Sequence, residues 1–168
     1  IIAGSGTSAM EAATVNLLSS GDKALVISAG QFGERFVALV KAYHCEPVVI
    51  EPGWGNPVEL ESVKQALDKH PDIKAVFTTL VETSTATLYD IKGIGEIVSG
   101  KPDTVFVVDG ISGLGAVECR TDQWNIDMLV SGSQKALSLP PGLSFISVSE
   151  KAWSKINMST MPKYYLDL

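Results

Sequence analysis

The stretch TVFVVDGISG, residues 104–113, decides the fold class of this chain of 168 residues. It begins with an apolar run rich in β-branched valine, which favours a β-strand that is buried on both faces. The run ends at Asp109, and Gly110 marks a turn directly after it. Strands buried on both faces are typical of parallel sheets covered by helices. The stretch therefore predicts an α/β domain.

Short apolar runs and amphipathic segments alternate on both sides of this stretch and predict further strands and helices. The other predicted strands are 23–28, 47–51, 73–80, 127–132 and 143–149, and the predicted helices are 7–20, 34–44, 58–70 and 90–100. The connection between the last two strands is too short for a helical crossover, so one strand is expected to run antiparallel. We therefore expect a three-layer α/β/α fold with a mostly parallel sheet.

Composition and charge argue against several classes of protein. The net charge of −6 disfavours binding to nucleic acid or to an anionic membrane surface, since both attract basic proteins. No apolar run reaches the roughly 18 residues that cross a bilayer, and no signal peptide is visible. Cys45 and Cys119 lack a C-x-x-C pattern and are expected to be free thiols in a reducing, cytoplasmic location. His44 and His70 lack metal-ligand spacing, so no metal site is predicted.

The whole chain, residues 1–168, is expected to form one domain, because no linker, repeat or low-complexity tract interrupts it. It begins with IIAGSG, without an initiator methionine, and stops at YYLDL without a capping signal. We therefore expect it to be a fragment of a longer protein.

In open α/β sheets, ligands bind beyond the carboxyl ends of the strands, and the first motif expected there is GSGTSA. It contains Ser5, Gly6 and Thr7 and directly precedes the first predicted helix. A helix N-terminus offers free N–H groups and a favourable dipole, which suit a phosphate group. A capped helix start explains the same residues without a ligand.

An aromatic residue and a cluster of hydroxyls are expected at the same edge of the sheet. Phe32, between two glycines in SAGQFGER, is predicted on a loop where it can stack on a flat ligand; a place in the core is the alternative. The motif ETST, residues 82–85, brings Thr83 to the end of the strand 73–80. Its hydroxyls are suited to binding ligand oxygens or to capping a turn.

Asp109 and Lys135 follow the ends of successive predicted strands. Burying an unpaired charge is costly, so Asp109 needs a cationic partner or several N–H donors, and the cation would be Lys135 or a protonated ligand nitrogen between the two. Lys135 must be solvated, paired or chemically engaged. A turn cap is the alternative role for Asp109. Pyridoxal 5'-phosphate needs a phosphate site, a stacking surface, a carboxylate for its ring nitrogen and a lysine for its aldehyde. The motifs together predict a site for this cofactor.

The motifs GSGTSAMEAA, GQFGER, ETSTATL, VVDGISGLG and SGSQKAL, in this order and at these spacings, resemble the class V aminotransferases among the fold-type-I pyridoxal-phosphate enzymes. The likeness is strongest to the alanine–glyoxylate and serine–pyruvate aminotransferases. It implies transfer of an amino group from a small amino acid, alanine or serine, to a small 2-oxo acid, glyoxylate or pyruvate. It also implies a homodimer and, in longer relatives, a smaller C-terminal domain whose arginine binds the substrate carboxylate.

The resemblance also implies roles for individual residues. Lys135 would form the internal aldimine, a Schiff base, and move the substrate proton, while Asp109 would keep the cofactor's ring nitrogen protonated. The remaining matched residues would contact the cofactor: Ser5, Gly6 and Thr7 in the phosphate turn, Gln134 beside it, Phe32 on the ring face and Thr83 near the 3-oxygen.

The chain departs from the family pattern at two positions and leaves two other functions open. Leu80 stands where relatives often carry histidine, and Ala86 stands where the sequence S-T-G is usual. Another pyridoxal-phosphate reaction, such as cysteine desulfuration or elimination, is the nearest alternative, although desulfurases usually have a histidine beside the reactive lysine and SGSQKAL has none. A nucleotide-binding module is a further alternative, but a complete G-x-G-x-x-G motif is absent.

Overall fold

The computed structural model describes residues 1–168 and consists of a seven-stranded sheet, a small hairpin and five helices. The strands are β1 Ile2–Ala3, β2 Lys23–Ile27, β3 Glu46–Ile50, β4 Ile73–Thr79, β5 Val81–Glu82, β6 Thr87–Leu88, β7 Val105–Asp109, β8 Met128–Gly132 and β9 Leu143–Val148. The helices are α1 Gly6–Leu17, α2 Gln31–Ala42, α3 Leu60–Lys69, α4 Ile91–Ser99 and α5 Glu150–Ile156. None of these helices combines the length and apolar character that a membrane crossing requires.

The large sheet has the strand order β1-β9-β8-β7-β4-β2-β3. Strands β3, β2, β4, β7 and β8 pair in parallel, and β9 pairs antiparallel with both β8 and β1. The mostly parallel sheet with one antiparallel strand is therefore confirmed. Because all strands of the large sheet except β9 point the same way, their carboxyl ends share one edge of that sheet.

Helices cover both faces of the sheet, which confirms the three layers. On one face, α1, α2 and α5 pack against the sheet, and the ring of Phe36 in α2 lies 4.9 Å from that of Phe77 in β4, between centroids. On the other face, α3 and α4 contribute Leu67 and Ile94, which are almost completely buried. Successive residues of a strand point to opposite faces, so β7 is apolar throughout until Asp109.

Two short elements and several helix boundaries differ from the sequence prediction, and the start of α2 is the boundary that affects the site. The hairpin β5–β6 and the helix α5 were not predicted, because runs of two residues and of seven residues carry little periodic signal. Helix α2 begins at Gln31 rather than after Gly33, so Phe32 lies in the first helical turn and the predicted loop position is wrong. The backbone N–H groups of Phe32 and Gly33 bind the Glu82 carboxylate, a distant cap that a local pattern does not reveal.

Candidate active site

The structure places the predicted site residues at or just beyond the carboxyl ends of parallel strands of the large sheet, with Thr83 on the hairpin that follows β4. Ser5 lies between β1 and α1, and Gly6 and Thr7 are the first two residues of α1. Phe32 lies at the start of α2, after β2. Asp109 is the last residue of β7, and its register partner on β8 is Val130. The remaining predicted residues follow β5 and β8: Thr83, Gln134 and Lys135. One edge of the sheet therefore holds the whole candidate site.

The phosphate turn is an open helix N-terminus. Ser5 is the N-cap of α1, and its side chain makes no capping hydrogen bond. The N–H groups of Gly6 and Thr7 therefore keep their capacity to bind a ligand, whereas the N–H group of Ser8 donates to the Ser5 carbonyl at 2.9 Å. The segment after β8 lies against this turn: a Cβ atom added at Gly132 would lie 3.4 Å from the nitrogen of Gly6. The Oε1 atom of Gln134 is buried there without a hydrogen-bond partner. The turn thus places free N–H donors beside an acceptor oxygen, Oε1 of Gln134, that has no partner in the chain.

Phe32 is held in place by the carboxylate of Glu82. Glu82 is completely buried and accepts hydrogen bonds from the backbone nitrogens of Phe32 and Gly33, each at 3.1 Å from Oε2. The backbone N–H and hydroxyl of Ser84 donate to the Oε1 atom of the same carboxylate, at 3.1 and 2.8 Å. A negative charge at the start of α2 also interacts favourably with the helix dipole. The sequence pattern assigned no role to Glu82, because its partners lie on another element.

Arg35 joins the aromatic ring to the phosphate turn, and the sequence analysis did not single it out. Its guanidinium carbon lies 4.6 Å from the centroid of the Phe32 ring. Its Nη1 donates a hydrogen bond of 2.9 Å to Oγ1 of Thr7. Residues three apart on a helix lie on the same side. The spacing of three residues between Phe32 and Arg35 was therefore the sequence pattern that pointed to Arg35.

Asp109 is a buried acid with no ion pair. Its Oδ1 accepts a hydrogen bond of 2.8 Å from the backbone nitrogen of Ile111. Burial raises the pKa of the Asp109 carboxyl to about 7 in spite of this hydrogen bond, and the negative charge of Glu82 adds to the rise. The positive charges of Arg35 and Lys135 oppose it. The chain itself leaves this carboxyl without a close cationic partner.

Lys135 is exposed at the edge of the site. It follows β8 by three residues, and its Nζ lies 5.8 Å from the centroid of the Phe32 ring. It forms no ion pair with a carboxylate of the chain. The ammonium group is therefore accessible to a ligand that contacts the ring of Phe32.

Thr83 lies on the hairpin next to the site. Its side chain is exposed and forms a hydrogen bond with the hydroxyl of Ser112, in the turn after β7. This contact joins the hairpin to the segment that follows Asp109. The structure shows no hydrogen bond between Thr83 and the other predicted site residues, and Ser112 is a site neighbour that the sequence analysis did not name.

Comparisons with known proteins agree with this architecture. The sequence profile of the family described as Aminotransferase class-V matches residues 1–162. An uncharacterized aminotransferase of Methanocaldococcus jannaschii is 47% identical over the whole chain, which spans 44% of that relative. A serine–glyoxylate aminotransferase of Hyphomicrobium methylovorum is 38% identical over 90% of this chain and 38% of its own length. The chain thus spans less than half the length of the relatives that it matches.

The fold is also that of a solved aminotransferase. The crystal structure of an alanine–glyoxylate aminotransferase from Nostoc sp. superposes with a TM-score of 0.93 and 33% identity, over 99% of this chain and 44% of the other. The family profile covers nearly all of the sequence and the superposition covers nearly all of the structure. The chain belongs to the class V aminotransferase family.

Proposed function

We propose that this edge of the sheet binds pyridoxal 5'-phosphate. The residues present fit a flat ligand with an anionic group at one end and a cationic nitrogen at the other. The open N-terminus of α1, with the free N–H groups of Gly6 and Thr7, suits the phosphate. Gln134 lies beside this turn, and the NH2 group of its amide is the donor from which a phosphate oxygen would accept. The buried and unpaired Asp109 suits a protonated ring nitrogen, since a carboxyl with a raised pKa regains its charge beside a cation. Asp109 is the observation that carries the proposal.

The residues of the chain would divide the chemistry among them. When bound, the cofactor supplies an aldehyde that condenses with amines and a ring that accepts the electron pair of a substrate C–H bond. Asp109 would hold the proton on the ring nitrogen, and Phe32 would cover one ring face. The Nζ of Lys135 would hold the aldehyde carbon, with the aldehyde oxygen lost as water, and Lys135 would later move a proton to and from the substrate carbon.

The reaction proposed for the full-length protein is transamination from a small amino acid, alanine or serine, to a small 2-oxo acid, glyoxylate or pyruvate. Two similar proteins support this choice by their names, a serine–glyoxylate and an alanine–glyoxylate aminotransferase. We also propose that the full-length protein is a homodimer in the cytoplasm. The two free cysteines are compatible with a reducing compartment.

Trapping of the cofactor tests the binding site directly. The full-length protein is mixed with pyridoxal phosphate, reduced with borohydride and digested, and the pyridoxyl-lysine is located by mass spectrometry. We expect the label on Lys135, its loss in Lys135→Arg, and its retention in the control Lys64→Arg, which changes an exposed lysine on α3. Label spread over exposed lysines, or none at all, would contradict the proposal.

Steady-state assays test the reaction. Serine or alanine with glyoxylate or pyruvate should give the corresponding amino-group exchange, and Lys135→Ala should abolish it. Asp109→Asn should leave the fold intact and slow the exchange strongly, because a neutral amide cannot hold the ring nitrogen in its charged form. Release of sulfide from cysteine, with no amino-group exchange, would instead favour the desulfurase alternative.

A further inference from the structure

We propose that Arg35 is a positioning residue for the cofactor's phosphate: it orients the hydroxyl of Thr7 as a donor and supplies the positive charge of the phosphate subsite. This inference rests on the proposed function, because it assigns a role toward the phosphate of that cofactor. It concerns a residue outside the predicted set, which consisted of the phosphate turn, the stacking ring, Thr83, Asp109, and Gln134 with Lys135.

The hydrogen bond between Arg35 and Thr7 has only one possible direction. A guanidinium group has donors and no acceptor, so Nη1 of Arg35 donates and Oγ1 of Thr7 accepts, at 2.9 Å. The Thr7 hydroxyl makes no other hydrogen bond in the structure. Its own hydrogen therefore remains available for an acceptor. Thr7 lies in the first turn of α1, where its own backbone N–H group and that of Gly6 also have no acceptor within the helix.

Arg35 also brings a charge that no carboxylate of the chain neutralises. The structure contains six ion pairs within 4.0 Å, and Arg35 belongs to none of them. The other members of the subsite, Ser5, Gly6, Thr7 and Gln134, are neutral. A phosphate carries between one and two negative charges near neutral pH. The guanidinium group is thus the cation in direct contact with this subsite.

Phe32 limits the freedom of the guanidinium group. The ring lies 4.6 Å from the guanidinium carbon, a distance at which a planar cation is attracted to an aromatic face. The ring is anchored in turn through the backbone hydrogen bonds to Glu82. Arg35 is therefore held by two contacts, one to the aromatic ring and one to the phosphate turn.

A comparison of two ligands separates an effect on the phosphate from an effect on the ring. Dissociation constants of pyridoxal phosphate and of pyridoxal, which lacks the phosphate, are measured by absorbance for the full-length wild type and for Arg35→Gln. We expect Arg35→Gln to weaken binding of pyridoxal phosphate by about 10- to 100-fold, the usual range for a charged hydrogen bond. Binding of pyridoxal should change little. The control Lys64→Gln removes an exposed charge on α3 and should affect neither ligand.

Two further variants test the route through Thr7. In a Thr7→Val background, Arg35→Gln should have a smaller effect on pyridoxal phosphate than in the wild type, because the hydroxyl that it orients is gone. Arg35→Lys keeps the positive charge, and so the native charge of the protein, but loses the planar, forked guanidinium group. It should therefore recover part of the affinity for pyridoxal phosphate that Arg35→Gln loses. Equal effects of Arg35→Gln in both backgrounds would remove the orienting role.

The failure of this inference differs from the failure of the proposed function. If Arg35→Gln weakens pyridoxal and pyridoxal phosphate equally, Arg35 supports only the ring of Phe32, and the inference is wrong. If neither affinity changes, it is wrong as well. If the wild type binds neither ligand and no label forms on Lys135, the proposed function is wrong and the inference falls with it.

Discussion

Oε2 of Glu82 lies 3.1 Å from the backbone nitrogen of Phe32, although the two residues are 50 positions apart in the sequence. The carboxylate is completely buried and forms no ion pair. It is stabilised instead by the N–H groups at the start of α2 and by the backbone and side chain of Ser84. One carboxylate therefore fixes both the aromatic ring of the candidate site and the hairpin that carries Thr83.

This contact predicts a strong effect of Glu82→Gln on stability. The amide of glutamine would place an N–H group against one of the backbone donors, and a buried donor without an acceptor costs about 1–3 kcal/mol. We expect the free energy of unfolding to fall by that amount in urea titrations. Glu51→Gln, at an exposed position after β3, is the control and should change it by less than about 0.5 kcal/mol. Equal values for the two variants would contradict the capping role.

The sheet is predictable from the sequence, and the start of α2 is not. Strands that are buried on both faces have largely apolar sequences, such as residues 104–108. Each such run in the sequence is a strand in the structure. The antiparallel β9 follows from the length of the preceding connection. The first turn of α2, in contrast, is capped by a residue from the hairpin after β4. A hydrogen bond between residues that are far apart in the sequence cannot be predicted from the residues next to either one.

Gly33 is predicted to tolerate no side chain. A Cβ atom there would lie 2.6 Å from the Cα atom of Ser28 and 2.9 Å from the carbonyl oxygen of Ile27, and neither backbone atom can move freely. Gly33→Ala should therefore lower the free energy of unfolding by about 1–3 kcal/mol, the usual cost of overpacking. Gly100→Ala is the matched control, because the nearest atom to its Cβ lies at 3.4 Å. A Gly33→Ala protein as stable as the control would show that α2 shifts without cost.

Ala86 is predicted to be strained. It has a φ of 58° in the hairpin, in the left-handed region that costs a residue with a Cβ about 1–2 kcal/mol. Ala86→Gly should raise the free energy of unfolding by about 0.5–1 kcal/mol, since the greater freedom of glycine in the unfolded chain offsets part of the relief. Ala38→Gly, at an exposed position within α2, should lower it by about 1 kcal/mol. Changes of the same sign in both variants would contradict this account.

The candidate site is predictable from the sequence only in part. Asp109 and Lys135 are recognisable because a charged group beside an apolar strand is rare and needs a reason. The sequence signal for Arg35, its spacing of three residues from Phe32, does not single it out, because an arginine in an amphipathic helix is ordinary. Its place becomes visible only when α1 and α2 lie side by side and the guanidinium group meets Thr7. Residues that act through contacts between elements require the structure.

The raised pKa of Asp109 predicts how the stability of the ligand-free protein depends on pH. The folded pKa of Asp109 is about 7, well above the ordinary aspartate value of 3.8. The folded state therefore holds this proton more tightly than the unfolded chain, and the resulting stability is present below about pH 4 and lost as the pH rises through 7. Asp109→Asn removes this loss, because the amide stays neutral. The variant should be more stable than the wild type at pH 8, by about 2–4 kcal/mol, and similar to it near pH 4.

Urea titrations of the ligand-free protein at pH 4, 6 and 8 measure this difference. Asp122→Asn, at an exposed position, is the control and should run parallel to the wild type at every pH. Pyridoxal phosphate should reduce the advantage of Asp109→Asn at pH 8, because a cationic ring nitrogen beside the Asp109 carboxylate stabilises its charged form. A constant difference between Asp109→Asn and the wild type across this pH range would mean that the carboxyl group stays charged in the folded state.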